Sequence, residues 1–202
     1  MGGDLAGLPA EIKVRLGLIV NPIAGIGGRV GLKGSDSVEI QREALKRGAV
    51  PQAHLRAVKA LEVLLPLQKN LELFAAPGVM GEDLARQLGF SPRVVGRLAG
   101  ENTSAQDTVK TANAMAQIDV DLILFAGGDG TAHDVFTAVG THVPALGIPA
   151  GVKIHSSVFA THPRLAGEIA AALLRGEKIH LDERVDPSML PIGDGLTLVR
   201  KR

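Results

Sequence analysis

Short apolar runs alternate with segments of helical period along most of this chain. Val14–Asn21 carries Leu16, Leu18, Ile19 and Val20 and is closed by Asn21-Pro22, which reads as a buried strand. Leu71–Ala76, Arg93–Leu98, Asp121–Ala126 and Val143–Ile148 read as four more strands, and Lys178–Leu181 as a last one. Helices are expected between them. Ser37–Arg47 is stopped by Gly48. His54–Leu65 has apolar residues at Leu55, Val58, Leu61, Leu64 and Leu65, with Pro66 after it. Gly81–Leu88 has Gly89 at its C′ position. Thr103 and Gln106 form a capping box for a helix reaching Gln117. Thr131–Val139 follows, and Pro163 opens a helix that ends before Gly176. This rhythm specifies an α/β fold, a mostly parallel sheet covered by helices. The expected domain spans residues 12–182. Residues 183–202, with Pro187, Pro191, Gly193 and Gly195, read as a linker or the truncated start of a second domain.

Composition excludes several chemistries. There is no Cys, so disulfide frameworks, Cys-ligated zinc, iron–sulfur clusters and thiolate catalysis are ruled out. Net charge is +1, which argues against a DNA coat or a polybasic membrane binder. Trp and Tyr are absent and the aromatics are Phe74, Phe90, Phe125, Phe136 and Phe159, so base-stacking platforms are not expected. No apolar run approaches the roughly 18 residues of a membrane span. Asp4 and Glu11 stand where a signal peptide would be apolar. Met1-Gly2 resembles a myristoylation start, but Ala6 sits where Ser or Thr is needed. A cytoplasmic protein without nucleic-acid or membrane partners is expected.

The most informative loop is Gly127-Gly128-Asp129-Gly130-Thr131, directly after an apolar strand and before a helix. Glycines there allow positive φ and close approach of a phosphate. Successive N–H groups make an anion-binding nest, and the helix dipole adds to it. Asp129 then has two chemical roles open to it: orienting Mg²⁺, or accepting the proton of an attacking hydroxyl. A structural reading is a tight turn with Thr131 as N-cap and Asp134 closing a capping box.

Three further loops follow strands and are expected on the same edge. Asn21 to Asp36 is Gly-rich, with Gly27 and Gly28 beside Arg29 and Lys33. It lacks the glycine at Val30 of a dinucleotide fingerprint and has no P-loop Gly-Lys-Ser/Thr. It suits either a phosphate-covering loop or an ordinary surface loop. Gly147 to Ser157 gathers Lys153, His155, Ser156 and Ser157 beside a turn; for His155 alone a polar-loop role is the better reading. Glu101 to Thr108 contains the Thr103–Gln106 cap and leaves Asp107 and Thr108 over. The six histidines show no metal-ligand spacing. Together these loops point to a nucleotide or phosphate site and to phosphoryl transfer.

GGDGT after a strand resembles the superfamily of NAD kinases, diacylglycerol and sphingosine kinases, and phosphofructokinases. With NPIAGIGGRVGLKGSD, TSAQDT, DLILFAGGDGTAHDV and ALGIPAGVKIHSSVFA, the stretch from Val14 to Leu181 is similar to the predicted ATP- or polyphosphate-dependent NAD kinase group, which includes the acetoin-catabolism kinase-like proteins. The resemblance implies an NAD kinase-like nucleotide-binding domain. It implies phosphoryl transfer from ATP or polyphosphate, with Mg²⁺, to a hydroxyl, in NAD kinases the ribose 2′-hydroxyl of NAD. It makes Asp129 the catalytic residue. The expected nucleotide and phosphate contacts are Asn21, Gly27, Gly28, Lys33, Thr103, Asp107, Gly127, Gly128, Gly130, Thr131, Asp134, Lys153, Ser156 and Ser157. Asp134 falls where lipid-kinase relatives place a carboxylate, and His133 where a more basic residue is expected. Ordinary NAD kinases add a mostly β domain for the dinucleotide, which is expected to be missing or incomplete here. The apolar face so exposed predicts a homo-oligomer. A lipid or small-alcohol kinase and a non-catalytic nucleotide-binding module are the alternatives.

Overall fold

The computed structural model describes residues 13–26, 51–100, 103–151 and 154–177. Five strands form one parallel sheet: β1 (Val14–Val20), β2 (Leu71–Ala75), β3 (Arg93–Val94), β4 (Leu122–Gly127) and β5 (Ala145–Pro149). Their order is β3-β2-β1-β4-β5. The central register pairs Leu16 with Leu122 and Val20 with Ala126. The helices are α1 (Ala53–Leu61), α2 (Glu82–Gln87), α3 (Ala105–Gln117), α4 (Asp129–Val139) and α5 (Pro163–Leu174). The expected helix Ser37–Arg47, the strand Lys178–Leu181 and the tail lie outside the described residues.

A parallel sheet covered on both faces needs strands apolar on both faces. Side chains alternate across the sheet accordingly. Leu16, Leu18, Leu73, Leu122, Leu124, Leu146 and Ile148 point to one core, shared with α1, α2 and α5. Ile19, Phe74, Ile123, Phe125 and Ala145 point to the other, shared with α3 and α4. Each fully buried Leu, Ile or Phe contributes about 1.5–3 kcal/mol. The first core includes an unusually close helix pair. A Cβ on Gly167 of α5 would stand 2.2 Å from the Ala60 carbonyl oxygen of α1. With Ala53, Ala57, Ala166 and Ala170 also buried there, small residues bring the two backbones together.

Several boundaries differ from expectation for identifiable reasons. The helix from Ala53 does not stop at Pro66 but continues as a 3-10 helix over Glu62–Asn70. Pro keeps a helical φ, and the tighter winding suits a ring that would crowd an α-helix. β3 is cut from six residues to two, Arg93–Val94, because Gly96 turns to φ +89°. The cap of α3 is Ser104, not Thr103, and its partner is Asp107, not Gln106. α4 begins at Asp129, two residues before the expected start, with Gly128 as N-cap. Thr131 is therefore inside the first turn and does not cap. The α5 helix opens at Pro163 as expected, and the His162 ring nitrogen Nδ1 accepts from the Leu165 N–H at 3.1 Å. Among the described residues, no helix is long and apolar enough to cross a membrane.

Candidate active site

In this strand order the chain leaves β1 toward β2 and leaves β4 toward β5. The loops after β1 and β4 therefore diverge, and open α/β sheets bind ligands in the crevice at such a switch point. Asn21 stands on one side of it and Gly127–Thr131 on the other. The Asn21 N–H donates to the Ala126 carbonyl at 2.9 Å. Its side-chain Nδ2 donates to Thr131 Oγ1 at 2.9 Å, and its Oδ1 accepts from the Ile23 N–H at 3.2 Å. Asn21 thus fastens the β1 loop to α4, with both ends of its amide engaged inside the fold. Thr131 is only 3% exposed, so its side chain faces inward.

The glycines of this turn are not there for a left-handed backbone. None of Gly127, Gly128 and Gly130 has positive φ. A Cβ on Gly127 would lie 2.4 Å from the Thr131 side chain, so Gly127 makes room for the residue that Asn21 holds. Gly128 is extended at φ −123°, and a Cβ there would meet nothing within 4 Å. Its side faces open space. Gly130 is exposed in the first turn. The first intrahelical bond of α4 runs from the Ala132 N–H to the Gly128 carbonyl at 3.0 Å. The N–H groups of Asp129, Gly130 and Thr131 precede it and are the donors a helix terminus offers to an anion.

Asp129 is half-buried at the first position of α4. Its Oδ2 accepts from the His155 N–H at 3.0 Å and its Oδ1 from the Ser156 N–H at 3.0 Å. The carboxylate thereby ties α4 to the connection between β5 and α5. The sequence pointed to the side chain of Ser156 and read His155 as part of a polar loop; here it is the backbone N–H of each that meets Asp129. The Ser156 residue is buried, and Ser157 is exposed. Lys153, Gly27, Gly28 and Lys33 lie outside the described residues.

Asp107 is engaged inside the fold. It is 2% exposed and accepts from the Ser104 hydroxyl at 2.7 Å, the Ser104 N–H at 2.9 Å and the Ala99 N–H at 3.2 Å. The Ser104 hydroxyl above all holds its carboxyl below the ordinary range, against desolvation. Thr103 is half-buried just before this cap. Asp134 is half-buried on α4, and burial raises its carboxyl while His133, 4.0 Å away, opposes the rise.

Beside Asp129 lies a cleft of about 380 Å³ between α1 and the β5–α5 connection. Ser156, Phe159 and Thr161 line one side, and Arg56 of α1 the other. No motif marks Arg56 in the sequence. The Phe159 ring is held edge-on against Phe125, with centroids 5.3 Å apart.

Residues 16–178 match the family described as ATP-NAD kinase N-terminal domain. The chain belongs to this family. As an NAD kinase N-terminal domain, it places the GGDGT turn at the switch point of its sheet. Among solved structures, it is similar to yeast NADH kinase complexed with NADH at 13% identity and a TM-score of 0.40, over 93% of this chain and 46% of that one. It is also similar to a UDP-N-acetylglucosamine 2-epimerase at 13% identity and a TM-score of 0.39, over 79% of this chain and 40% of that one. The match thus spans less than half the length of either. No curated protein matches the chain.

Proposed function

We propose that this NAD kinase domain handles the phosphates in a phosphotransferase that moves a phosphoryl group from ATP or polyphosphate to the ribose 2′-hydroxyl of NAD. The placement of Asp129 carries the reading. A carboxylate stands at the mouth of the crevice, next to three helix-terminal N–H donors and the open side of Gly128. Two backbone N–H groups fix its orientation, and each oxygen keeps lone-pair capacity for a further proton or hydrogen bond. In the proposed reaction the hydroxyl oxygen bonds to the terminal phosphorus. The bond from that phosphorus to the bridging oxygen breaks, with its electron pair leaving on the oxygen. The hydroxyl proton passes to Asp129. Most of the acceleration in such transfers comes from positioning and from charge stabilisation at the phosphates. The α4 N-terminus serves the second task.

The donor would carry Mg²⁺. The described residues include no group of three His, Asp or Glu able to cage a metal ion. Mg²⁺ usually keeps several waters and takes its other ligands from substrate phosphates and one or two carboxylates. The phosphates and water would hold the ion, and Asp129, kept free to accept the proton, would orient it through its hydration shell. When bound, the ion neutralises charge on the phosphates.

The test is NADP formation by the full chain with ATP and with polyphosphate, run beside diacylglycerol and glycerol as acceptors. NADP as the main product supports the proposal. Phosphorylation of only the lipid or the alcohol would move the acceptor class. Nucleotide binding without turnover on any acceptor would make the protein a binding module.

A further inference from the structure

We propose that the cleft between α1 and the β5–α5 connection is a phosphate-recognition subsite read by the guanidinium of Arg56. This rests on the phosphotransferase reading and adds to it a residue outside the glycine-rich loops. The first observation is the state of Arg56. Arg15, Arg86, Arg93, Arg164 and Arg175 each meet a carboxylate within 4.0 Å. Arg56 makes no side-chain hydrogen bond or ion pair with another described residue, although it is half-buried. Arg97, which likewise meets no described carboxylate, is exposed to water. A partly desolvated cation without a counter-charge is costly, and an incoming anion relieves that cost.

The second observation is the cleft that Arg56 lines. Its volume, about 380 Å³, lies within the range of small-ligand sites, about 300–1,000 Å³. Among the described residues no carboxylate lines it, and Ser156 and Thr161 add polar groups to the same lining. Phe159 and Ile154 supply an apolar floor. A planar guanidinium matches two oxygens of a phosphate at once, which a lysine cannot.

The third observation is adjacency. Ser156 both lines the cleft and donates its N–H to Asp129 Oδ1 at 3.0 Å. Ser156 therefore joins the lining of the cleft to the carboxylate that would receive the proton. Two sources supply this chemistry: the phosphate chain of the donor, and the pyrophosphate of the dinucleotide acceptor.

Calorimetry on the full chain separates them. Tripolyphosphate and NAD are titrated in turn into wild type, Arg56→Gln and Arg56→Lys, with the fold of each variant checked by circular dichroism. Arg56→Gln is expected to weaken one of the two ligands at least tenfold, and Arg56→Lys to recover only part of the loss. A loss confined to tripolyphosphate assigns the cleft to the donor, and one confined to NAD assigns it to the acceptor. The proposal is overturned if both ligands bind Arg56→Gln within twofold of wild type, or if wild type binds neither. Binding that depends on Arg56 without turnover on any acceptor would overturn the catalytic reading and leave this one standing. Turnover with binding indifferent to Arg56 would do the reverse.

Discussion

Replacing Asp129 by Asn tests the dual task of this carboxylate. In the structure Asp129 Oδ1 accepts from the Ser156 N–H at 3.0 Å and Oδ2 from the His155 N–H at 3.0 Å, with a longer 3.3 Å branch of the latter to Oδ1. Asn keeps one accepting oxygen and presents an NH₂ to the other N–H. One hydrogen bond to a charged group is lost, worth about 1.5–3 kcal/mol. Loss of a negative charge at the helix N-terminus removes about 0.3–1 kcal/mol more. His155 is exposed, so water compensates part of this, and a net cost of about 2 kcal/mol is expected. For a chain of this size that lowers Tm by about 4–8 °C. Thermal unfolding by circular dichroism reads the shift, and hydrogen exchange reads faster opening at the His155 and Ser156 amides. The sequence alone predicts an unperturbed fold for this variant, since Asn suits a turn as well as Asp. A variant with wild-type Tm and unchanged protection at both amides would refute the strap.

Three further outcomes follow from other contacts. Gly128→Ser adds a good N-cap residue where a Cβ meets nothing within 4 Å; the variant should unfold at or above the wild-type Tm yet bind tripolyphosphate more weakly by calorimetry. Gly167→Ala places a methyl against the Ala60 carbonyl, so urea unfolding should show a loss of about 1–3 kcal/mol from overpacking. Asp107 has a depressed carboxyl, so its stabilisation is complete above the unfolded value of about 3.9 and fades as pH falls through the lower folded value. The stability gap between wild type and Asp107→Asn should therefore be constant from pH 7 to about 5 and shrink below about pH 4 in urea titrations.

Much of the fold was legible because a parallel sheet covered on both faces demands continuous apolar runs. Leu122–Gly127 and Val14–Val20 are such runs, buried at nearly every position. β3 is exposed at both its residues and lacks that signal, so its length was overread. The α3 cap was misplaced by one residue because Thr103 and Ser104 are both hydroxyl-bearing, and only Asp107 turning back to Ser104 distinguishes them. The sequence marks the GGDGT turn as a candidate site but does not show why Gly127 must be small. Gly127 is small because of Thr131, and Thr131 is held by Asn21, 110 residues away in sequence. The strap from Asp129 to His155 and Ser156 uses backbone N–H groups, which leave no trace in residue type. Arg56 belongs to no motif, and only the cleft that forms around it marks it out.

The central claim is that Asp129 stands where a phosphoryl group is transferred. Transfer of radiolabelled terminal phosphate from ATP to NAD, measured in single turnover by the full chain and by Asp129→Asn at a temperature where both are folded, tests it most directly. Labelled NADP is expected from wild type, and a rate about 10²–10⁴ lower from the variant. Equal rates from the two proteins would contradict it.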